Sequence, residues 1–287
     1  MASQLSTSKI CFIGGGNMAG AIIGGLVAKG NEKQNIFVSE PWDQNREKMA
    51  ALGVRTTESN AVASSDADLL VLAVKPQVTK GVAQELGAAW AKNTSLPLIV
   101  SIVAGITLES LKEWFALPDG RTPHIVRVMP NTPALLGEGA SGLFASGDVS
   151  QAEKDLAASL LASVSKVTEW LDKEELIDVV TGISGSGPAY FFAFVEHLIE
   201  SGVGLGLTRE QATRLAKQTC YGAGKMLVES SSPPSQLRIN VTSPKGTTEA
   251  ALKSFEASGL KESVDKAVKA ATDRGKELGV TLAKSES

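Results

Sequence analysis

Short apolar runs alternate with helix-length amphipathic stretches over the first part of the chain. The runs are Lys9–Ile13, Asn35–Ser39, Asp68–Val74, Pro97–Val103 and His124–Met129. Nearly continuous apolar strands separated by helices indicate a parallel sheet covered on both faces. We therefore predict a doubly wound α/β domain of the Rossmann type over residues 1–172.

From residue 173 onward the pattern is helical throughout. Pro188 suits a first helical turn, and Gly202 and Gly259 suit the position after a last turn. We predict an all-α domain over residues 173–287, interrupted by a Ser/Pro-rich loop at Glu229–Ser235. Its helices are Ser186–Gly202, Thr208–Val228, Thr247–Ala257 and Leu260–Leu278.

A glycine-rich turn of the form G-x-G-x-x-A follows the first predicted strand and opens a helix. Gly14 permits the tight turn, Gly16 lets a diphosphate approach the backbone, and Ala19 lets the helix pack close to the strand. The diphosphate would lie at the positive end of the helix. The alternative is a glycine-rich turn that binds nothing. The predicted cofactor contacts of this turn are Gly14, Gly15, Gly16, Asn17, Met18 and Ala19.

The second strand ends at Ser39 and Glu40, where a dinucleotide fold places the adenine ribose. A carboxylate at this place accepts the ribose 2′-hydroxyl, which favours NAD. Ser39 and the nearby Arg46 could instead accept a 2′-phosphate, and Glu40 could be a solvated loop residue. The sequence therefore predicts NADPH or NADH as the cofactor without choosing between them.

Other strand ends carry candidate contacts, because ligands of parallel sheets lie outside the carboxyl ends of the strands. Lys75 is either a cofactor neighbour, mainly through its backbone, or an ordinary surface lysine. Asn131 and Thr132 lie between two prolines, either as donors near the nicotinamide or as a rigid turn. We assign His124 a structural role.

Two segments rich in small residues stand out in the second domain. Residues 182–189 contain three glycines and two serines before Pro188, which permits close approach to the first domain; a flexible hinge is the alternative. Residues 241–248 form a hydroxyl-rich turn that opens a helix, whose N–H groups would suit a small carboxylate. A capped helix end without a ligand is the alternative there.

Composition excludes several classes of protein. The net charge of −3 and the absence of a Lys/Arg run argue against nucleic-acid binding. Two histidines and two cysteines in unrelated places predict no metal site, and the cysteine count fits a reducing compartment. No apolar run has the length of a membrane span, and Met1–Lys9 suggests a loose tail rather than a targeting peptide. We expect a cytoplasmic protein.

Five motifs in this order resemble the pyrroline-5-carboxylate reductases: Gly14–Ala19, Ala73–Pro76, Met129–Pro133, Gly182–Ala189 and Ser243–Thr248. The resemblance extends from about residue 9 to about residue 280. It implies reduction of 1-pyrroline-5-carboxylate to L-proline with NAD(P)H, the last step of proline biosynthesis. It also implies a homodimer or a higher assembly of dimers, with a substrate pocket shared between two chains.

The resemblance also implies roles for individual residues. Thr248 would be the catalytic hydroxyl nearest the ring nitrogen of the substrate. The implied substrate contacts are Asn240, Val241, Ser243, Gly246, Thr247 and Thr248. Further implied cofactor contacts are Asn60, Ala73, Val74, Lys75, Pro76 and Ala104, beside Ser39, Glu40 and Asn131 discussed above.

One residue departs from the family pattern, which has two glycines after the Ser-Pro pair of this loop. Here Lys245 occupies the first glycine position and Gly246 the second. If the position requires a positive φ, lysine costs about 1 kcal/mol or more. Lys245 would alternatively add a positive charge near the substrate carboxylate or the cofactor phosphates.

Two rival functions remain open from the residues alone. A β-hydroxyacid dehydrogenase would need an acid/base residue such as a lysine in the helical domain, where Lys217 and Lys225 lie in ordinary helical patterns. A protein that binds NADPH and signals through a partner would bind cofactor without turnover. The hydroxyl-rich turn argues against such a sensor, which needs no carboxylate pocket.

Overall fold

The computed structural model describes residues 4–284 of the chain. Within them, eight strands form one sheet in the order β3-β2-β1-β4-β5-β6-β7-β8. Neighbouring strands are parallel except for β7, which runs antiparallel to β6. The strands are β1 (Ile10–Ile13), β2 (Ile36–Ser39), β3 (Arg55–Thr57), β4 (Leu69–Leu72), β5 (Leu98–Ser101), β6 (Ile125–Met129), β7 (Gly139–Ala145) and β8 (Ser165–Trp170).

The described residues form two compact units. The first contains those up to Gly185 and those from Ala270 on, and the second is Ser186–Lys269. The helices are α1 (Gln4–Thr7), α2 (Asn17–Ala28), α3 (Asp43–Ala51), α4 (Asn60–Ser64), α5 (Thr79–Ala89), α6 (Leu108–Trp114), α7 (Gln151–Leu161), α8 (Leu176–Val180), α9 (Gly187–Gly204), α10 (Arg209–Glu229), α11 (Pro234–Asn240), α12 (Thr247–Ala257) and α13 (Leu260–Lys284).

Two apolar cores cover the two faces of the sheet. Because successive strand residues point to opposite faces, Phe12 joins one core and Ile13 the other. The first core includes buried residues of α2 and α7, and the second includes buried residues of α5 and α6. β1, β4 and β5 are buried throughout, as their unbroken apolar sequences predict. The predicted doubly wound α/β fold is confirmed.

Three strands were missed by the sequence analysis. Arg55–Thr57 is short and partly exposed, Gly139–Ala145 is rich in small residues, and Ser165–Trp170 is an exposed edge strand with charged positions. None of them shows the apolar run that identified the central strands. The sheet is therefore larger than predicted and carries one antiparallel pairing.

The prediction of a loose tail over Met1–Lys9 is wrong for the residues that the structure describes. Gln4–Thr7 forms α1, and the side chain of Leu5 is only 5% exposed. Asn31 donates from Nδ2 to the Leu5 carbonyl at 3.0 Å, and the Lys9 N–H donates to Asp68 at 2.8 Å. One buried leucine and these hydrogen bonds hold in place a segment whose polar composition suggested that it is exposed to solvent.

The helical prediction is confirmed for α9, α10 and α12 to within two residues at each end, and for α13, which continues to Lys284 rather than ending at Leu278. Residues 173–284 contain no strand. Gly202 does not end its helix: α9 continues to Gly204, and Gly206 at φ +106° follows it. The loop at Glu229–Ser235 is shorter than predicted, because Pro234 is the first residue of α11. No helix among residues 4–284 is long and apolar enough to cross a membrane.

Residues 173–185, which were predicted to belong to the second domain, pack against the sheet in the first unit. A Cβ at Gly142 on β7 would lie 2.8 Å from Cγ2 of Val180 on α8, so only glycine permits this contact. The last part of α13 also belongs to the first unit, where Gly279 lies against the Gly105 carbonyl. The functional boundary at 172/173 stays a prediction.

Candidate active site

The glycine turn after β1 closes directly onto the end of β4. Gly14 has φ +99°, and a Cβ on it would lie 2.6 Å from the Ala73 carbonyl oxygen. The Ala73 N–H in turn donates to the Ile13 carbonyl at 2.8 Å. Both the backbone angle and the contact therefore require glycine at position 14.

Gly16 leaves the start of α2 open. It precedes the helix with φ −73°, no side chain caps this helix end, and no atom lies within 4 Å of the position of a Cβ. The first N–H groups of a helix lack partners within it, and they favour an anion. Asn17 and Met18 are the first two helical residues, and Ala19 is buried in the core as the motif predicts.

A cleft of about 330 Å³ lies beside this turn. It brings together Gly14, Gly16, Glu40, Ala73, Val74 and Lys75, six of the residues expected to contact the cofactor. The remaining lining residues belong to none of the predicted motifs; they are Pro41, Trp42, Asn45 and Val78. Trp42 is 67% exposed, and the Lys75 ammonium lies 5.8 Å from its ring centroid. A tryptophan so soon after a strand end was the available signal.

Glu40 links the end of β2 to the glycine turn. Its carboxylate accepts the Gly15 N–H at 2.7 Å and the Trp42 N–H at 2.9 Å, and the residue is only 7% exposed. The alternative of a solvated loop carboxylate is therefore wrong. The side chain forms part of the cleft wall.

Other predicted cofactor residues lie near the strand ends but do not line the cleft. Ser39 is fully buried, and its hydroxyl donates to Asn60 Oδ1 at 2.8 Å. Asn131 donates to the Ser184 carbonyl at 3.2 Å and accepts the Ala140 N–H at 2.9 Å, which are bonds that fix the loop after β6. Pro76 begins a short 3₁₀ helix, and Ala104 is an exposed loop residue after β5. The roles of these residues toward a cofactor stay predictions.

The first part of the small-residue segment at 182–189 belongs to the first unit, which ends at Gly185. Thr181–Gly185 forms one π-helical turn, and a Cβ on Gly185 would lie 2.6 Å from Cε of Met129 at the end of β6. This glycine therefore permits a close contact within the first unit, and the expected approach of the following helix start to the first domain stays a prediction.

In the second unit, residues 243–246 form a β-turn. The Gly246 N–H donates to the Ser243 carbonyl at 3.0 Å, with Pro244 and Lys245 as the central residues. Lys245 has φ +59°, and it is the one non-glycine residue with positive φ among the residues described. The position therefore has the positive φ for which we expected a lysine to be strained.

The start of α12 carries the hydroxyl groups of the predicted substrate site. Gly246 precedes the helix without a side-chain cap, and Thr247 and Thr248 are its first two residues. Glu249 accepts the Lys245 N–H at 2.5 Å and pairs with Lys253 at 2.9 Å. The bond from Lys253 and then that from the Lys245 N–H lower the pKa of the Glu249 carboxyl.

The two remaining predicted substrate residues lie at the end of α11. Asn240 is its last residue and accepts a hydrogen bond from Gln236 at 2.8 Å. Val241 follows with its side chain 59% exposed. The turn thus connects two helix ends, and the roles of all these residues toward a substrate stay predictions.

Two family models match the chain. One, described as pyrroline-5-carboxylate reductase dimerisation, covers residues 174–278. The other, described as NADP oxidoreductase coenzyme F420-dependent, covers residues 9–105.

Full-length relatives and solved structures agree with these models. A pyrroline-5-carboxylate reductase of Pseudomonas aeruginosa is 48% identical over 97% of this chain and 99% of its own. The solved structure of such a reductase from Coxiella burnetii is 41% identical, with TM-score 0.87, covering 95% of this chain and 98% of that chain. The Plasmodium falciparum enzyme, solved with NADP bound, is 32% identical, with TM-score 0.82, covering 96% and 99%.

Gly16→Val tests the phosphate-binding turn. The space around Gly16 accommodates the added side chain in the free protein, but a valine would occupy the approach to the start of α2. We expect normal folding and a loss of NAD(P)H affinity of about tenfold or more, measured by calorimetric titration. Gly24→Val, two turns further along α2 where the space is also open, is the control. Unchanged cofactor affinity in Gly16→Val would refute this assignment of the turn.

Lys245→Gly tests the strain in the β-turn. Removing the side chain relieves a left-handed conformation, so we expect the free energy of unfolding to rise by up to about 1 kcal/mol. Lys217→Gly, at an exposed site within α10, should instead lower it by about 1 kcal/mol. Both variants are unfolded by denaturant at one protein concentration. A fall in stability for Lys245→Gly would contradict the interpretation.

Proposed function

The chain belongs to the pyrroline-5-carboxylate reductase family, and on this basis we propose that it reduces 1-pyrroline-5-carboxylate to L-proline with NAD(P)H, the last step of proline biosynthesis. The observation that carries the proposal is the cleft beside Gly14 and Gly16, at the open start of α2. The hydroxyacid dehydrogenase alternative loses its basis, because the matching relatives are named for the reduction of a cyclic imine.

The cleft fits a dinucleotide in three respects. Gly14 and Gly16 remove side chains from the approach to the backbone, the uncapped start of α2 favours the diphosphate, and Trp42 offers an exposed ring for stacking. When bound, the reduced nicotinamide supplies the hydride. The residues after β4, β5 and β6, including Val74, Ala104 and Asn131, would hold the nicotinamide end.

The start of α12 suits the carboxylate of the substrate. The N–H groups of Thr247 and Thr248 lie at a helix end that no side chain caps. We assign them to the carboxylate, beside Gly246, whose own N–H is bonded to the Ser243 carbonyl, and we assign the Thr248 hydroxyl to the ring nitrogen. Ser243, Asn240 and Val241 would shape the wall of this site.

The reaction needs positioning more than acid catalysis. A hydride adds to the imine carbon, and the nitrogen carries a proton in the product. A protonated imine is already electrophilic, so a fixed helix end and a hydroxyl that orients the nitrogen are sufficient. A reaction that needs no strong general acid is consistent with a sequence that contains only two histidines.

Thr248→Val and Thr248→Ser separate the hydroxyl from the rest of the side chain. We expect Thr248→Val, which keeps the shape, to lower kcat/KM for 1-pyrroline-5-carboxylate by one to two orders of magnitude, because a hydrogen bond of about 1–3 kcal/mol is lost. Thr248→Ser keeps the hydroxyl and should retain most of the activity.

The affinity for NAD(P)H, titrated without substrate, should change by less than about twofold in both variants. Wild-type kinetics in Thr248→Val would remove this hydroxyl from the mechanism. Absence of turnover of 1-pyrroline-5-carboxylate by the wild-type chain would contradict the proposed function as a whole.

The chain carries the dimerisation region of the family, and we propose that it forms a homodimer or an assembly of dimers. Among the hydrophobic residues of Ser186–Lys269, Ala212 alone is buried. Phe192, Leu205 and Val228 are 69%, 90% and 84% exposed. A helical unit with so little core of its own needs a second copy to cover its apolar faces.

Phe192→Asp tests the dimer. A charge in the apolar face of α9 should weaken association, so sedimentation should show a smaller species for this variant than for the wild type at the same concentration. Lys217→Asp places the same residue at a site that is already polar, and it should sediment as the wild type does. A monomeric wild type at micromolar concentration would contradict the proposal.

Two further assignments complete the proposal. We assign residues 1–172 to dinucleotide binding and residues 173–287 to dimerisation and substrate binding, which the match of the dimerisation model at 174–278 supports. A cytoplasmic location is supported by the two cysteines, Cys11 and Cys220, which are both free thiols.

A further inference from the structure

Membership of the family does not decide whether the chain uses NADH or NADPH, and the residues at the end of β2 provide evidence on this point. NADH and NADPH differ at the adenine ribose, which carries a 2′-hydroxyl in one and a 2′-phosphate in the other. A dinucleotide fold reads this group just after the second strand, which here means Glu40 and its neighbours. The inference rests on the proposed function, because it concerns the same cleft.

Glu40 places a fixed negative charge in the cleft wall. The two backbone bonds from Gly15 and Trp42, one to each oxygen, hold its carboxylate in place. No lysine or arginine among residues 4–284 forms an ion pair with it. Each carboxylate oxygen has a second acceptor site, so Glu40 can still accept a ribose hydroxyl. It would repel a phosphate.

Arg46, the nearest candidate for a 2′-phosphate, is already committed. Nη1 donates to the carbonyls of Glu40 and Pro41 at 2.9 and 3.2 Å. Nη2 pairs with Asp43 at 2.5 Å and with Glu58 at 2.9 Å. Two carboxylates therefore neutralise this guanidinium, and it would have to leave one of them to bind a phosphate.

Lys75 is the one cation among the residues that line the cleft. It follows β4, which pairs with β1 on the side opposite β2. Its ammonium nevertheless reaches toward the segment after β2, where it lies 5.8 Å from the centroid of the Trp42 ring. Lys75 is exposed and solvent screens its charge, whereas Glu40 is 7% exposed and is held by two backbone bonds. The charge that distinguishes the two cofactors therefore meets Glu40 as the fixed group at the end of β2.

We propose that Glu40, together with the carboxylate-bound Arg46, makes this chain prefer NADH to NADPH. The negative side chain accepts the 2′-hydroxyl of NADH and disfavours the 2′-phosphate of NADPH. Asp43 and Glu58 strengthen the preference, because they occupy the guanidinium that would otherwise offset the added charge.

The test compares the two cofactors on the full-length protein. Calorimetric titration without substrate should give a dissociation constant for NADH that is at least about tenfold lower than for NADPH. The ratio of kcat/KM values with 1-pyrroline-5-carboxylate should follow the same order. Equal affinities, or tighter binding of NADPH, would overturn the proposal.

Three variants assign the preference to these side chains. Glu40→Gln removes the charge and keeps the shape, so the affinity ratio should move at least about tenfold toward NADPH. Glu58→Gln, at an exposed site, releases Arg46 from one carboxylate and should tighten NADPH at least about threefold, with NADH changed by less than about twofold. Glu47→Gln, an exposed change on α3, should leave the ratio at its wild-type value.

Glu58→Gln keeps the test decisive if Glu40→Gln weakens the turn, because Glu58 has no bond to the glycine loop. A wild-type ratio in both Glu40→Gln and Glu58→Gln would overturn the assignment. Failure of the proposed function is a separate result: it would appear as no turnover with either cofactor, whereas the binding ratio is measured without substrate.

Discussion

The contact between Gly14 and the Ala73 carbonyl is the constraint on which the nucleotide site depends. No side chain fits at position 14, because the backbone has φ +99° and a Cβ would lie 2.6 Å from that oxygen. The contact brings the end of β4 against the turn that leaves β1. Glu40 then ties the end of β2 to the same turn through the Gly15 N–H. Three strand ends therefore meet where α2 begins.

This arrangement explains why one part of the cleft favours an anion whereas another part carries a negative charge. The start of α2 contributes N–H groups and the helix dipole, which favour the diphosphate. Glu40 contributes a negative charge at the end of β2 and is stabilised by backbone donors rather than by a cation. The same hydrogen bonds that shape the turn thus fix the carboxylate that we assign to the ribose.

The helical unit follows a different physical principle from the sheet. The first unit buries its apolar residues in two cores, whereas Ser186–Lys269 exposes most of its large apolar side chains. The sequence predicted its amphipathic helices. An amphipathic pattern does not indicate whether the apolar face packs within one chain or against a second chain. We therefore propose that a second copy covers the apolar faces of this unit.

The sequence predicted those features that local chemistry determines. Unbroken apolar runs identified β1, β4 and β5, and the motif placed Gly14, Gly16 and Ala19 correctly around the turn. The sequence did not predict β7 and β8, because their small or charged residues become strands only through pairing with neighbouring strands.

Long-range contacts also determine the rest of the site. Trp42, just before α3, and Asn45, on α3, line the cleft, and α1 is held by the burial of Leu5. Neither contact has a periodic signal in the sequence. Conversely, the positive φ of Lys245 was foreseeable from the resemblance, which implied a glycine at this position of the turn.

Hydrogen exchange of the backbone amides at the start of α2 tests the central claim most directly. If the turn after β1 holds the diphosphate, the amides of residues 16–18 should exchange more slowly when NADH is bound, while the exposed amides that begin α7 at Gln151 should be unaffected. Cofactor binding without protection of residues 16–18 would contradict the account.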